Sequence, residues 1–123
     1  YWRQGPIYRA AIVVERIRGV RPLATALAEP LWGAVADAIV RMHRAGVWHA
    51  DLNAFNILIG GDGQVWLIDF DRGTLGSLSE RQRQGNLDRL RRSLVKVAGE
   101  EGDRFWMKLR DSYWTAWGIG VQP

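Results

Sequence analysis

Four polar side chains fall in a pattern suited to handling a proton and a divalent cation. His49, Asp51 and Asn56 lie in the run His49-Ala50-Asp51-Leu52-Asn53-Ala54-Phe55-Asn56, and Asp69 follows in Ile68-Asp69-Phe70-Asp71. Moving a phosphoryl group onto a hydroxyl needs a carboxylate to accept the proton and oxygen ligands for the magnesium ions that neutralise a triphosphate. Asp51 is the candidate base, and Asn56 and Asp69 are the candidate metal ligands. Two short apolar runs, Ile57 to Ile59 and Val65 to Ile68, flank Gly60-Gly61-Asp62-Gly63 between them. That is the pattern of a β-hairpin, whose antiparallel strands return their ends to one place. The carboxamide of Asn56 and the carboxylate of Asp69 can then share one cation.

Helices must hold these loops. From Pro30, suited to a first helical position, Leu31, Val35, Ile39 and Met42 recur at helical spacing until Gly46, which can supply a left-handed cap. Ser79 opens a second helix with Gln82 three residues on, a capping-box pattern. Leu87, Leu90, Leu94 and Val97 give that helix an apolar stripe opposite its arginines, and Gly85 weakens its first turns. Phe105, Leu109, Tyr113 and Trp117 form a last helical face before Gly118 and Gly120. Upstream, the β-rich run Tyr8 to Ile17 reads as a strand, and Gly19 and Pro22 mark a connector before the first helix.

The order His-x-Asp-Leu-x-x-x-Asn, hairpin, Asp-Phe resembles the catalytic-loop and metal-loop pair of protein kinases. Within kinase-like enzymes, HADLNAFNILI, WLIDFDRG and NLDRLRRSL are similar to the corresponding segments of the lipopolysaccharide kinase family, which comprises Kdo kinases and heptose kinases, with the Kdo branch the nearer. The resemblance implies an α+β fold, a protein-kinase-like C-terminal lobe that is mainly helical with a short catalytic-loop hairpin, preceded by a hinge strand. Residues 1–17 would be the remnant of the N-lobe strand and hinge, and 18–123 the catalytic lobe. It implies Asp51 as catalytic base, Asn56 and Asp69 as magnesium ligands, and His49 as an architectural residue joining the two loops. Glu15 and Ile17 would hold the adenine at the hinge. ATP and Mg2+ are the implied cofactors, and a Kdo-lipid A precursor, phosphorylated at the 4-hydroxyl on the cytoplasmic face of the inner membrane, is the implied acceptor.

Departures from the kinase pattern also carry information. The glycine-rich loop and the ATP-pairing lysine are missing, so the chain reads as lacking its N-terminal kinase lobe. Asn53 stands where protein kinases carry a lysine, which favours a small-molecule acceptor over a protein. Asp71 replaces the glycine of the protein-kinase metal loop.

The remaining signals are weighed against plainer readings. The segment Arg81 to Lys96 holds six cations against the single acid Asp88 within a chain of net charge +4. Arg89 and Arg92 are the candidates for gripping the acceptor's phosphates and carboxylate, although the same arginines suit the solvated face of an amphipathic helix. Seven tryptophans suit docking at a membrane surface, but most are expected in the core. Gly60 to Gly63 is a hairpin turn and not a phosphate loop, because no lysine or helix follows it. His43, beside Arg41 and Arg44 on a helix, is assigned no role. A hydrolase triad through His49 lacks a nucleophile elbow. With 123 residues and no cysteine, one domain in a reducing, cytoplasmic setting is expected, and no apolar run is long enough to span a bilayer. A peripheral membrane contact and no nucleic-acid partner complete the expectations. The alternatives are a heptose kinase, another small-molecule kinase of aminoglycoside type, or a noncatalytic module that binds lipopolysaccharide or protein.

Overall fold

A computed structural model of the chain describes residues 20–68 and 78–118. The expected hinge strand and N-lobe remnant at 1–17, with Glu15 and Ile17, lie outside the described residues, as do Asp69 and Asp71. The described elements run β1 (Arg21–Pro22), a 3-10 turn (Leu23–Thr25), α1 (Trp32–Arg44), β2 (Ile57–Ile59), β3 (Val65–Leu67) and α2 (Glu80–Gly118). The α+β composition expected from sequence is present, with helices outweighing a small antiparallel sheet of order β1-β2-β3.

The sheet departs from expectation at its edge. Arg21 and Pro22, read above as connector, pair antiparallel with Ile59 and Leu58. Pro22 is tolerated because β1 is at the edge of the sheet among the described residues, where a missing N–H breaks no ladder on the outer side. The central strand β2 is buried throughout, and Ile57 and Ile59 face Leu67 and Val65 across the hairpin. At the turn, Gly60 donates to the Gln64 carbonyl at 2.8 Å, and Asp62 Oδ1 accepts from the Gln64 N–H at 3.0 Å.

Helix α1 ends as its sequence directs. Gly46 takes φ 80°, its N–H donates to the His43 carbonyl at 2.9 Å, and the Val47 N–H reaches back to Met42 at 3.1 Å. This is a Schellman ending, which stops the helix and turns the chain into the loop carrying Asp51. The start of α2 carries the expected capping box, with Ser79 N–H on Gln82 Oε1 at 2.8 Å and Gln82 N–H on Ser79 Oγ at 3.1 Å.

Helix α2 is two arms folded on each other at Gly99, whose φ of 55° and ψ of −125° are not helical. In a straight helix Arg91 and Asp103 would lie ~18 Å apart at 1.5 Å per residue. Instead the Arg91 Nε donates to Asp103 Oδ1 at 2.9 Å, and Trp106 Nε1 donates to the Leu87 carbonyl at 3.0 Å. Leu87, Leu90 and Leu94 of the first arm and Phe105, Leu109 and Tyr113 of the second join Val35, Ile39 and Met42 of α1 and the β2 isoleucines in one core.

Two expectations are corrected by this packing. Val97, placed on the apolar stripe, is 38% exposed, because the chain leaves helical geometry two residues later. Arg83, counted with the solvated arginines, is buried and lies over the rings of Trp117 and Trp114, at 4.0 and 5.5 Å from their centroids. Most of the described tryptophans join the core as expected, Trp106 buried within it and Trp32, Trp114 and Trp117 half-buried against it. Several carry a cation on a ring face, as Lys108 does over Trp32 and Arg44 over Trp117.

Candidate active site

The loop from His49 to Asn56 is shaped by its own side chains. His49 is fully buried. Its Nδ1 accepts the Asp51 N–H at 3.0 Å, which leaves the proton on Nε2 to be donated to the Ile68 carbonyl at 2.8 Å. One neutral imidazole thus ties the loop to the far end of the hairpin, the architectural part expected of it. Asn53 closes an Asx-turn, with Oδ1 accepting the N–H groups of Phe55 and Asn56 at 2.7 and 3.0 Å. The Asp51 carbonyl accepts from Nδ2 of both Asn53 and Asn56, at 3.1 and 2.9 Å.

These bonds orient the two chemical groups. With its backbone held from both sides, Asp51 extends a carboxylate whose side chain is 65% exposed, open to an incoming hydroxyl. Asn56 is buried, and commitment of its nitrogen to the Asp51 carbonyl leaves the Oδ1 end, a hard oxygen of the kind magnesium takes. The Ile68 N–H donates to the Asn56 carbonyl at 3.0 Å, so the residue before Asp69 is bonded through both backbone groups to the loop from His49 to Asn56. Among the described residues no group of three or more His, Cys, Asp or Glu could hold a metal ion; Asn56 offers an amide oxygen instead.

A ridge of α2 docks the whole loop. Asn86 accepts the His49 N–H on Oδ1 at 3.2 Å and donates from Nδ2 to the His49 carbonyl at 2.7 Å. Seven residues on, Ser93 Oγ accepts the Ala54 N–H at 2.9 Å, while the Ala54 carbonyl takes the Ala24 N–H at 3.0 Å. Between Asn86 and Ser93 on this ridge, Arg89 places Nη1 3.7 Å from Asp51 Oδ1. Arg92 is exposed one turn further on. Of the two candidate acceptor-binding arginines, the structure brings Arg89 to Asp51.

Behind the loop lies a buried polar chain that sequence reasoning missed. His43, given no role above, bonds through Nε2 to Asn86 Oδ1 at 3.0 Å and through Nδ1 to the Tyr113 hydroxyl at 2.8 Å. Burial pushes its pKa down from 6.5 to about 4, with the Asn86 bond opposing and Arg83 assisting, so at neutral pH it is uncharged. Burial also raises the Tyr113 phenol well above its ordinary value, keeping it protonated to donate to Nδ1. The signal available in sequence was a polar residue on an apolar stripe: Asn86 shares a buried face with Leu87, Leu90 and Leu94.

The model of the lipopolysaccharide kinase (Kdo/WaaP) family matches residues 1–113, and the chain belongs to that family. It is 47% identical, over 98% of its length, to the 3-deoxy-D-manno-octulosonic acid kinase of Stenotrophomonas maltophilia (strain R551-3). The same identity and coverage relate it to the enzyme of that name from Xanthomonas euvesicatoria pv. vesicatoria (strain 85-10), and 46% identity to that of Xylella fastidiosa (strain M12). It covers 52%, 51% and 51% of those proteins; the chain spans about half the length of the curated relatives it matches.

Proposed function

We propose that the protein transfers the γ-phosphoryl group of ATP to 3-deoxy-D-manno-octulosonic acid (Kdo) on a lipid A precursor, at the 4-hydroxyl, in lipopolysaccharide core assembly. In this reading residues 18–123 form the kinase-like C-terminal lobe, and residues 1–17 carry the end of the nucleotide-binding lobe with Glu15 and Ile17 at the adenine. The observation that supports it best is the bond from Asn56 Nδ2 to the Asp51 carbonyl, 2.9 Å, which ties the amide proposed as a metal ligand to the residue whose exposed carboxylate is proposed as the base. The names and identity of the relatives supply the acceptor.

Asp51 accepts the proton of the attacking hydroxyl, a role its exposure and fixed backbone suit. Asn56 Oδ1 and the carboxylate of Asp69 would hold magnesium, and His49 ties the Asp51 loop to Ile68, the residue before Asp69. Magnesium, when bound, offsets the negative charge of the triphosphate. Because the acceptor is borne by a lipid, the protein works as a peripheral enzyme at the cytoplasmic face of the inner membrane; no helix among the described residues is long and apolar enough to cross one.

The test is phosphoryl transfer by the full-length protein from ATP, with magnesium, to a Kdo-lipid A precursor, with heptose-bearing core and an aminoglycoside as parallel acceptors. Selective labelling of the Kdo acceptor, abolished by Asp51→Asn in a folded protein, is the expected result. Labelling of heptose or aminoglycoside instead replaces the acceptor, and undiminished turnover by Asp51→Asn removes the base.

A further inference from the structure

Arg89 has a position that folding does not explain. Its neighbours on the α2 ridge, Asn86 and Ser93, each satisfy backbone groups of the catalytic loop. Arg89 instead faces the Asp51 carboxylate from 3.7 Å, with its side chain 47% exposed. That distance is longer than a direct hydrogen bond, and a pair this open to water contributes little to stability. The result is a guanidinium carried on α2 beside the exposed carboxylate proposed above as the base, in a pair weak enough for a better anion to displace the partner.

Resting on the acceptor proposed above, we infer that Arg89 is the specificity-determining residue that pairs with the carboxylate of the acceptor sugar, selecting an acidic sugar over a neutral one. The geometry closes. A hydroxyl on Asp51 and a carboxylate on Arg89 each sit at about 2.8 Å from their partner, and the partners are 3.7 Å apart. Two contacts that close match two substituents of one six-membered sugar ring. A neutral sugar engages Asp51 but leaves the guanidinium without its anion, whereas a sugar acid satisfies both, and a planar guanidinium meets a carboxylate with two parallel bonds. From Arg89 the ridge continues through the exposed Arg92 and Lys96, about 10 Å along the axis at 1.5 Å per residue, with no acid in the segment. Those cations lie where anionic groups of the lipid would follow the sugar, so a lipid phosphate is the competing source of the anion at Arg89.

The experiment separates the two sources and the two proposals. Steady-state kinetics of the full-length wild type and of Arg89→Gln are measured on three acceptors: the Kdo-lipid A precursor, its carboxamide analogue, and the precursor stripped of its lipid phosphates. In the wild type, KM for the carboxamide is expected to exceed that for the acid by about 10- to 100-fold, the range for a charge-assisted pair. In Arg89→Gln, KM for the acid rises to match, the acid-to-amide ratio falls to near one, and kcat stays within a few-fold. Arg89→Lys restores part of the ratio by restoring the charge. An unchanged ratio in Arg89→Gln overturns the inference. So does an Arg89→Gln rise in KM that disappears with the phosphate-free acceptor, which would assign the anion to a lipid phosphate, or a fall in kcat with KM untouched, which would mean that Arg89 acts only through Asp51. Failure of the wild type to phosphorylate any of the three removes the proposed acceptor itself and takes this inference with it.

Discussion

Asn86 brackets His49, accepting its backbone N–H at 3.2 Å and donating to its backbone carbonyl at 2.7 Å from the same carboxamide. A single side chain on α2 thereby satisfies both backbone groups of the residue from which the catalytic loop departs. Asn86 is 1% exposed, so water cannot replace it. Asn86→Leu is expected to leave two buried backbone groups and the His43 Nε2–H unpaired, costing about 2–4 kcal/mol of unfolding free energy. Urea denaturation measures the loss. A change below about 0.5 kcal/mol would show that the remaining bonds of the loop, those of His49, Asn53, Asn56 and Ser93 among them, hold it without Asn86.

His43 makes the stability of the buried chain dependent on pH. Its pKa is lowered from 6.5 to about 4 in the folded protein, so below the unfolded value the unfolded chain binds more protons. Stability from this group is therefore complete above pH 6.5 and is lost as pH falls from 6.5 towards 4. At 1.36 kcal/mol per unit the loss reaches about 3 kcal/mol. Glu29, whose carboxyl is held below its usual range by hydrogen bonds from Arg21, loses its contribution as pH falls through its own folded value, in wild type and variant alike. The diagnostic quantity is thus the difference between wild type and His43→Gln in urea midpoint across pH 7 to 4. The wild type is expected to fall more steeply, and parallel profiles would assign the dependence to other groups.

What could be read from the sequence was what is decided within a few residues. Ser79 and Gln82 cap each other, Gly46 ends α1, and the hairpin closes on its own turn, so each was visible as a local pattern. The order of Asp51 and Asn56 along the loop was legible for the same reason. Features fixed by distant partners were not. Arg21 and Pro22 become strand only because Ile59 and Leu58 lie alongside, and nothing near Pro22 announces that. Arg83 reads as a surface cation until Trp114 and Trp117 arrive from the second arm. His43 looked idle because its partners, Asn86 and Tyr113, are 43 and 70 residues away.

The fold of α2 leaves no room for a side chain at Gly102. A Cβ there would stand 2.0 Å from the Leu94 carbonyl oxygen and 2.5 Å from its carbon, and neither is a flexible end that could move aside. Gly102→Ala is expected to push the arms apart at the Gly99 turn and to cost about 1–3 kcal/mol, the range for overpacking. Since Trp106 hydrogen-bonds to Leu87 across the same seam, its fluorescence reports the separation alongside the change in melting temperature. A variant as stable as the wild type would mean that the arms do not close as tightly as described.

Asn56 does two jobs with the two ends of one amide, and substitutions can divide them. Asn56→Ala deletes both the metal-facing oxygen and the bond from Nδ2 to the Asp51 carbonyl at 2.9 Å. Asn56→Asp keeps an oxygen ligand but sets an acceptor against that carbonyl, so the loop loses its anchor. If Oδ1 holds magnesium, Asn56→Ala raises the magnesium concentration for half-maximal turnover by roughly 10-fold or more, as loss of groups around a metal commonly does. Asn56→Asp then retains a near-normal magnesium requirement with lowered kcat, because the displaced backbone misplaces Asp51 beside the hydroxyl. Titrating magnesium against turnover for both variants of the full-length protein reads the two roles separately. Equal magnesium requirements in Asn56→Ala and wild type would assign the metal to other ligands and leave Asn56 as an anchor of the loop.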